Sequence, residues 1–158
     1  MQCSIQGDFQ AFEDRLVRLV NFKFTDLHRE MGQALVNETL DAFKTGTSPE
    51  GKAWPESGRV TLHNASRRKG RAKGKTLIDT ARLRNSIHAV ADADQVEVGT
   101  DVIYARIHQL GGETGRNKAT KLPARPYLPM TEAGDITPKA RELLEKMVEE
   151  HIKEAAGL

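Results

Sequence analysis

The residues whose types and spacing come closest to a chemical site lie in the stretch VGTDVIYARIHQLGG, residues 98–112. Tyr104 and His108 are four positions apart, so a helix over 103–110 would place both on one face. An imidazole in this position could act as a general base or bind a metal ion. Alternatively, His108 is a packed or hydrogen-bonded histidine beside a turn formed by Gly111 and Gly112, and we adopt this second interpretation.

The rest of the sequence supplies no partners for a metal or nucleophilic site around His108. The other histidines are scattered along the chain: His28, His63, His88 and His151. The sequence contains no HExxH, no CxxC, no aspartate-rich calcium loop and no Gly-x-Ser-x-Gly. The run GGETGR at 111–116 lacks the spacing and the lysine of a phosphate-binding loop. We therefore predict no metal, no cofactor and no catalytic residue, and a protein that is not an enzyme.

Positive charge is concentrated in one short run. Residues 67–75 hold six basic and no acidic side chains: Arg67, Arg68, Lys69, Arg71, Lys73 and Lys75. The run could contact a phosphate backbone, contact an acidic protein surface, or form a solvated loop that glycines keep mobile. No aromatic side chain lies between the charges to stack on bases. We predict that the run lacks fixed structure in the free protein and becomes ordered on assembly.

The bulk composition is that of one globular domain with an aliphatic core. The chain has 158 residues, of which 38% are hydrophobic, 29% are charged and only 5% are aromatic. The single cysteine, Cys3, has no partner for an internal disulfide, which fits a reducing compartment or indifference to redox conditions. No apolar run approaches the roughly 18 residues of a membrane span, so we expect no contact with a membrane.

The pattern of apolar residues predicts an α+β domain with N-terminal helices, a small antiparallel sheet with short helices, and a long C-terminal helix. A first helix follows Asp8, and its apolar positions are Phe9, Phe12, Leu16, Leu19 and Val20. A second helix is capped by Thr25 and ends at Gly46. The stretch from about 45 to 76 has no steady period, and we predict a long flexible loop that includes the basic run and could contain a hairpin.

The second half of the chain alternates short elements with turn residues. We predict a helix over 77–87, strands at 87–91 and 95–99, and a helix over 103–110 with Tyr104 and Leu110 buried. The prolines of LPARPYLP, 122–129, require an extended segment, which could be a rigid arm or a proline-rich docking ligand. Thr137 and Pro138 begin the last helix, whose apolar face carries Ala140, Leu143, Leu144, Met147, Val148 and Ile152.

Four stretches, taken in order, resemble the phage virion morphogenesis family, also called the tail-completion family of tailed bacteriophages. They are SPEGKAWP (48–55), LIDTARLRNSI (77–87), VEVGTDVIYARIHQLGG (96–112) and LPARPYLP (122–129). The matching positions are Trp54, Leu83, Tyr104, His108, Gly111, Gly112, Pro123, Arg125 and Pro126. The family usually has glycine where this chain has Ala81, and phenylalanine where it has Tyr127.

The resemblance implies a non-enzymatic assembly protein that acts at the head–tail junction or at the head-proximal end of the tail. Such proteins are expected to form rings, commonly sixfold, and to meet tail or head–tail connector proteins in the virion, after assembly in the host bacterial cytoplasm. The free protein could be monomeric. On this interpretation the arm at 121–130 lies across a neighbour with Tyr127 and Arg125 as anchors. The rival hypothesis is a nucleic-acid-binding module that uses residues 67–75.

Overall fold

The computed structural model describes residues 9–58, 60–61 and 75–157. Its helices are α1 (Phe9–Val20), α2 (Phe24–Thr45), α3 (Arg82–Asn85), α4 (Ala105–Leu110) and α5 (Pro138–Ala156), with a 3₁₀ turn at Arg116–Lys118. Its strands are β1 (His88–Ala91), β2 (Val96–Gly99), β3 (Gly112–Thr114) and β4 (Thr120–Leu122). The predicted α+β class is confirmed, with the strands paired as two separate antiparallel hairpins rather than as one sheet.

The long helix α2 is the scaffold on which the first hairpin and α5 both pack. Strands β1 and β2 pair from His88 opposite Gly99 to Ala91 opposite Val96. Gly32 lies in the interior of α2, where glycine costs about 1 kcal/mol relative to alanine. A Cβ at Gly32 would lie 2.8 Å from the Ala89 side chain and 2.9 Å from that of Val96. The glycine therefore allows the hairpin to lie directly on the helix.

The ends of the two long helices follow the predicted signals at two of three points. Helix α2 ends at Gly46, whose left-handed backbone (φ 74°) lets its N–H reach the Ala42 carbonyl. In α5 the Thr137 hydroxyl accepts the Ala140 N–H, and Pro138 occupies the first turn. The expectation that Thr25 caps α2 is wrong, because the helix already begins at Phe24 and Lys23 precedes it without a side-chain cap.

The helix predicted over 77–87 is reduced to the single turn of α3. Leu77 and Ala81 both adopt φ of 60°, in the left-handed region that interrupts a right-handed helix. Neither residue is a glycine, so the sequence carries no local signal for this backbone. Ala81 is the position at which the resembled family usually has glycine, the residue that adopts this conformation without strain.

The main core is built around a cluster of three aromatic rings. Phe43 lies between Trp54 and Tyr127, with ring centroids 5.6 Å and 5.2 Å away. The first part of the predicted loop over 45–76 is therefore ordered rather than flexible, and it contains the hairpin that the sequence allowed. Thr47 pairs with Ala53, and the Trp54 N–H donates to the Gly46 carbonyl, so this part forms a tight hairpin. Residues 62–74 lie outside the described ranges.

A second core cluster holds α5 against α2 through Leu35, Ala140 and Leu144. By contrast, α1 contributes no buried side chain, although it packs alongside α5. Within the described ranges, we find no helix with the length and apolar character needed to cross a bilayer.

Candidate functional site

Hydrogen bonds fix the proline-rich segment 123–129 against α4. The Arg125 N–H donates to the His108 carbonyl at 2.8 Å. The side-chain oxygen of Gln109 accepts the backbone N–H groups of Tyr127 and Leu128 at 2.9 and 3.0 Å. Gln109 is buried, with 6% of its surface exposed. It therefore satisfies two backbone donors that a neighbouring strand would satisfy in a sheet.

The buried face of α4 is formed by Ala105 and Gln109. The prediction of which side of this helix faces the core is therefore wrong. Tyr104 is 39% exposed and Leu110 is 50% exposed, although both were expected in the core. The helix has less than two full turns, and over so short a length apolar spacing does not select a unique face. The sequence analysis did not identify Gln109 as a buried residue. Its position four residues after Ala105, on the same helix face, was the available indication.

Tyr127 is a core residue of its own chain, with only 1% of its surface exposed. Its hydroxyl donates to the Ala105 carbonyl at 3.1 Å, and its ring packs on Phe43. Burial raises the pKa of Tyr127 to about 12. The interpretation of Tyr127 as an anchor presented to a neighbouring subunit is therefore wrong, because the side chain is already enclosed.

Arg125 is also enclosed, with 3% of its surface exposed. Its guanidinium donates from Nε to the Pro55 carbonyl at 2.7 Å and from Nη2 to the Glu56 carbonyl at 3.2 Å. Burial lowers the pKa of Arg125 from its usual value. The Arg125 side chain therefore holds the Trp54 hairpin and the proline-rich segment together. This enclosed position does not fit the expected role of Arg125 as an anchor on a neighbouring subunit.

His108 packs edge-on against Tyr104, with ring centroids 5.8 Å apart. Burial, followed by the nearby charge of Arg125, lowers the pKa of His108 from its usual value. The imidazole is therefore neutral at neutral pH. Its Nδ1 is buried without a hydrogen-bond partner in the part of the chain that the structure describes. In those residues no three histidine, cysteine or carboxylate side chains are grouped so as to hold a metal ion.

The two glycines after α4 are required by the backbone. Gly111 has φ of 71°, and a Cβ there would lie 2.7 Å from the Ala124 nitrogen. Gly112 has φ of 139° and begins β3. The turn leads into the β3–β4 hairpin before the chain reaches the proline-rich segment.

A cavity of about 410 Å³ lies beside His108. Ser57, Leu83, Tyr104 and Arg125 are among its lining residues. Ser57 Oγ is buried and, like His108 Nδ1, has no hydrogen-bond partner within the described ranges. Ser57 and His108 thus both line the cavity, and each has one enclosed polar atom that makes no hydrogen bond within the described ranges.

The remaining predicted residues divide between the core, the surface and the part that the structure does not describe. Trp54 Nε1 donates to the Pro126 carbonyl at 2.8 Å, and Leu83 is buried. Pro123 is exposed. Lys75 donates from Nζ to the Lys44 carbonyl. The other basic residues of the run lie outside the described ranges: Arg67, Arg68, Lys69, Arg71 and Lys73.

Comparison with known proteins identifies relatives from a prophage and from a phage. The chain is 42% identical over 59 residues to the Mu-like prophage FluMu G protein 2 of Haemophilus influenzae, covering 37% of this chain and 43% of that protein. It is 31% identical over 109 residues to the "Putative capsid assembly protein G" of Escherichia phage Mu, covering 68% of this chain and 69% of that protein. The match therefore spans less than half of the Haemophilus protein.

No solved structure matches this chain. The model of the phage virion morphogenesis family, in contrast, matches residues 7–153, from the start of the N-terminal helices to the end of the C-terminal one. The matched range includes the Trp54 hairpin, the glycine turn and the proline-rich segment described above. The chain belongs to the phage virion morphogenesis family and has a role in the assembly of phage particles.

Proposed function

We propose that this protein is a non-enzymatic assembly protein of the head–tail junction or of the head-proximal end of the tail. It forms a homo-oligomeric ring, commonly sixfold in this family, and contacts tail or connector proteins. It is built into the virion after assembly in the host cytoplasm. Membership of the virion morphogenesis family supports an assembly role, and the name of the phage Mu relative is compatible with a contact on the head side.

The observation that carries this proposal is the amount of apolar surface that the folded chain leaves exposed. The exposed large side chains are concentrated at the N-terminus, in and directly after α1: Phe9, Phe12, Leu16, Val17, Leu19, Val20 and Phe24. A contiguous apolar patch of more than a few hundred Å² is uncommon on a monomer and marks an interaction surface. A protein whose work is to join others requires such a surface.

The use of the polar motif residues supports a structural role rather than catalysis. Gln109 and Arg125 hold backbone groups of distant segments together. The Tyr127 hydroxyl is likewise committed to a backbone carbonyl. A catalytic group must instead be free to reach a substrate at hydrogen-bond distance.

The proposal is tested by deleting the gene from the phage or prophage that carries it and imaging the lysate by electron microscopy. We expect filled heads and separate tails that do not join. Purified protein added to this lysate should restore joining, and the protein should be found in purified virions. Complementation with the Tyr127→Phe variant is the control, and it should also restore joining. This variant loses one core hydroxyl and keeps the surface of the protein unchanged.

Other outcomes would contradict the proposal in distinct ways. A lysate without heads would place the protein in capsid assembly instead. Normal virions in the absence of the gene would remove the assembly role at the junction. Stoichiometric zinc in the purified protein that disappears in the His108→Ala variant would reopen the enzymatic hypothesis.

A further inference from the structure

The orientation of α1 is the reverse of that of an ordinary amphipathic surface helix. Its apolar positions recur at helical spacing at Phe9, Phe12, Leu16 and Leu19 and therefore share one face. Each of these side chains is at least 37% exposed. The most buried residue of α1 is Ala11, on the other side of the helix, and Arg18 lies beside Gly157 at the end of α5. The helix thus turns its polar side toward its own chain and its apolar side toward solvent.

This apolar face, which we call the ridge, is large enough to form an interface. The ridge comprises Phe9, Phe12, Leu16, Leu19 and Val20, with exposures of 66%, 59%, 45%, 37% and 83%. Since an aromatic side chain alone can bury about 150–250 Å², the ridge offers several hundred Å² of apolar surface. A standard interface buries about 800 Å² on each partner, so the ridge would supply a major share of one.

The turn after α1 prevents the ridge from folding back onto its own chain. Only three residues, 21–23, separate α1 from α2. The Asn21 side chain donates to the Val17 carbonyl at 2.8 Å, and Phe22 packs edge-on against Phe24 at 5.0 Å. Rotation of α1 about its axis would have to be absorbed by these three residues and would disturb the contact between Phe22 and Phe24. No segment within residues 9–58, 60–61 and 75–157 covers the ridge, so we assign its occupant to another chain.

A complementary apolar surface lies elsewhere on the same chain. A groove of about 650 Å³ runs along α5, and its apolar lining residues are Met31, Ile136, Leu144, Val148 and Ile152. Ile136 and Ile152 are 44% and 46% exposed. The groove extends from Arg141 to Lys153, about 18 Å at 1.5 Å per residue, and the 12 residues of α1 span about 18 Å as well.

The charges beside the two surfaces also agree. Glu145 and Glu149 line the middle of the groove between Arg141 and Lys153, and Glu149 is paired with Lys153, which leaves Glu145 as the carboxylate open to a new partner. Arg15 lies near the middle of α1 and, by helical spacing, beside the ridge positions Phe12 and Leu19. If the helix is centred on the groove and runs in the direction that turns this flank toward Glu145, Arg15 falls opposite that carboxylate. Opposite charges at the edge of an interface fix its register.

We propose that the ridge of one copy of this chain docks in the α5 groove of the next copy. The inference rests on the ring formation proposed above and specifies its contact. The ridge and the groove are two different surfaces, on helices α1 and α5 that pack alongside each other. Docking of one surface into the other produces a head-to-tail interface rather than a self-complementary one. Repetition of a head-to-tail contact closes into a ring when the rotation between copies allows it.

Cross-linking in assembled particles tests the contact directly. The double variant Leu16→Cys/Ile152→Cys, in a Cys3→Ser background, places one thiol on the ridge and one in the groove. Under oxidation we expect a ladder of covalent oligomers from purified particles. The matched control is Leu16→Cys/Ile103→Cys, because Ile103 is 96% exposed and belongs to neither surface. The control should stay monomeric. Particles that contain the double variant and yield no ladder overturn the contact, while the proposed role at the junction still stands.

A mixing experiment with the free protein distinguishes the head-to-tail contact from the pairing of two ridges. We expect Phe12→Asp and Ile152→Asp each to weaken self-association about thirtyfold or more, as the loss of a central anchor does. Ile103→Asp should associate as the parent does. An equimolar mixture of the two weakened variants should form a dimer that grows no further, because only one intact ridge and one intact groove can meet.

Sedimentation velocity and native mass spectrometry give the readout, and thermal melts verify that both variants fold. Normal self-association of Ile152→Asp together with loss in Phe12→Asp would show that ridges pair with each other, which overturns the proposal. Cross-linking of Leu16→Cys to a different virion protein, with no ladder, would assign the ridge to that protein and overturn it as well.

Discussion

The side-chain oxygen of Gln109 lies 2.9 Å from the backbone nitrogen of Tyr127 and accepts its hydrogen. The same oxygen accepts the N–H of the next residue, Leu128, at 3.0 Å. One buried amide thus joins α4 to the proline-rich segment, and the prolines explain why this is needed. A segment with prolines at 123, 126 and 129 has few N–H groups left to donate, so it cannot form a regular ladder.

Replacement of Gln109 by alanine should lower the free energy of unfolding by about 2–4 kcal/mol, since two buried N–H donors lose their acceptor. Chemical denaturation followed by circular dichroism measures this change. The exposed Arg106 on the same helix provides the control, because Arg106→Ala should change stability by less than about 0.5 kcal/mol. Equal effects of the two substitutions would contradict the structural role assigned to Gln109.

Tyr127 should make folding sensitive to alkaline pH. Its pKa is raised in the folded state to about 12 from 10.0, because burial disfavours the phenolate. The stabilisation is therefore complete below pH 10 and is lost as the pH rises from 10 toward 12, in total about 2–3 kcal/mol. Denaturation curves across this range should show the loss in the parent. The Tyr127→Phe variant should lack this part of the decline; an identical decline in both proteins would contradict the assignment.

Ala81→Gly should stabilise the fold by about 0.5–1 kcal/mol. Ala81 has φ of 60° and ψ of 9°, a left-handed conformation that costs a residue with a Cβ about 1–2 kcal/mol, partly offset by the greater entropy of glycine in the unfolded chain. Thermal melts provide the measurement. The control is Ala119→Gly at an ordinary φ of −70°, where the same change should destabilise by about 0.4–1 kcal/mol.

His108 should make stability fall on acidification. Its folded-state pKa is lowered by burial and by the charge of Arg125, so protonation favours the unfolded chain. The contribution of the neutral imidazole is complete above the unfolded pKa of about 6.5 and is lost as the pH falls through the lower folded pKa. His108→Gln should reduce this loss, whereas His88→Gln at an exposed position should not. An NMR titration of the His108 ring with a midpoint above 6.5 would be inconsistent with the enclosed imidazole.

The basic run should bind nucleic acid only if the protein is a nucleic-acid-binding module. The salt dependence of binding distinguishes this hypothesis from the proposed assembly role. Substitution of Arg67, Arg68, Lys69, Arg71, Lys73 and Lys75 by serine should leave the melting temperature nearly unchanged and slow the joining of heads and tails at low salt. Tight DNA binding by the parent that falls by orders of magnitude between about 50 and 200 mM salt would favour the nucleic-acid module.

The elements that the sequence predicts well are those whose signals are local. The Gly46 stop, the Thr137–Pro138 start and the β1–β2 hairpin depend on nearby residues and appear where expected. The phase of α4 and the backbone of Leu77 and Ala81 depend on tertiary contacts that no local pattern encodes.

The same limit applies to the candidate site. The motif residues Trp54, Arg125 and Tyr127 were identified from the sequence, but their partners are distant in the chain. Trp54 meets Pro126, and Arg125 meets Pro55 and Glu56. Without knowledge of these contacts, an aromatic and an arginine on an extended segment resemble an exposed arm. The outward orientation of α1 is also hidden, because helical spacing identifies an apolar face but not what covers it.

The position of Trp54 gives the protein a built-in optical reporter. It is the only tryptophan in the sequence, so the intrinsic fluorescence excited at long wavelength comes from one known place. Its indole N–H is bonded to the proline-rich segment and its ring packs against Phe43 in the core. Emission therefore reports whether this segment is docked, separately from the helix content seen by circular dichroism. Rapid-mixing experiments can use it to time the closure of contacts that span some 70 residues of chain during folding.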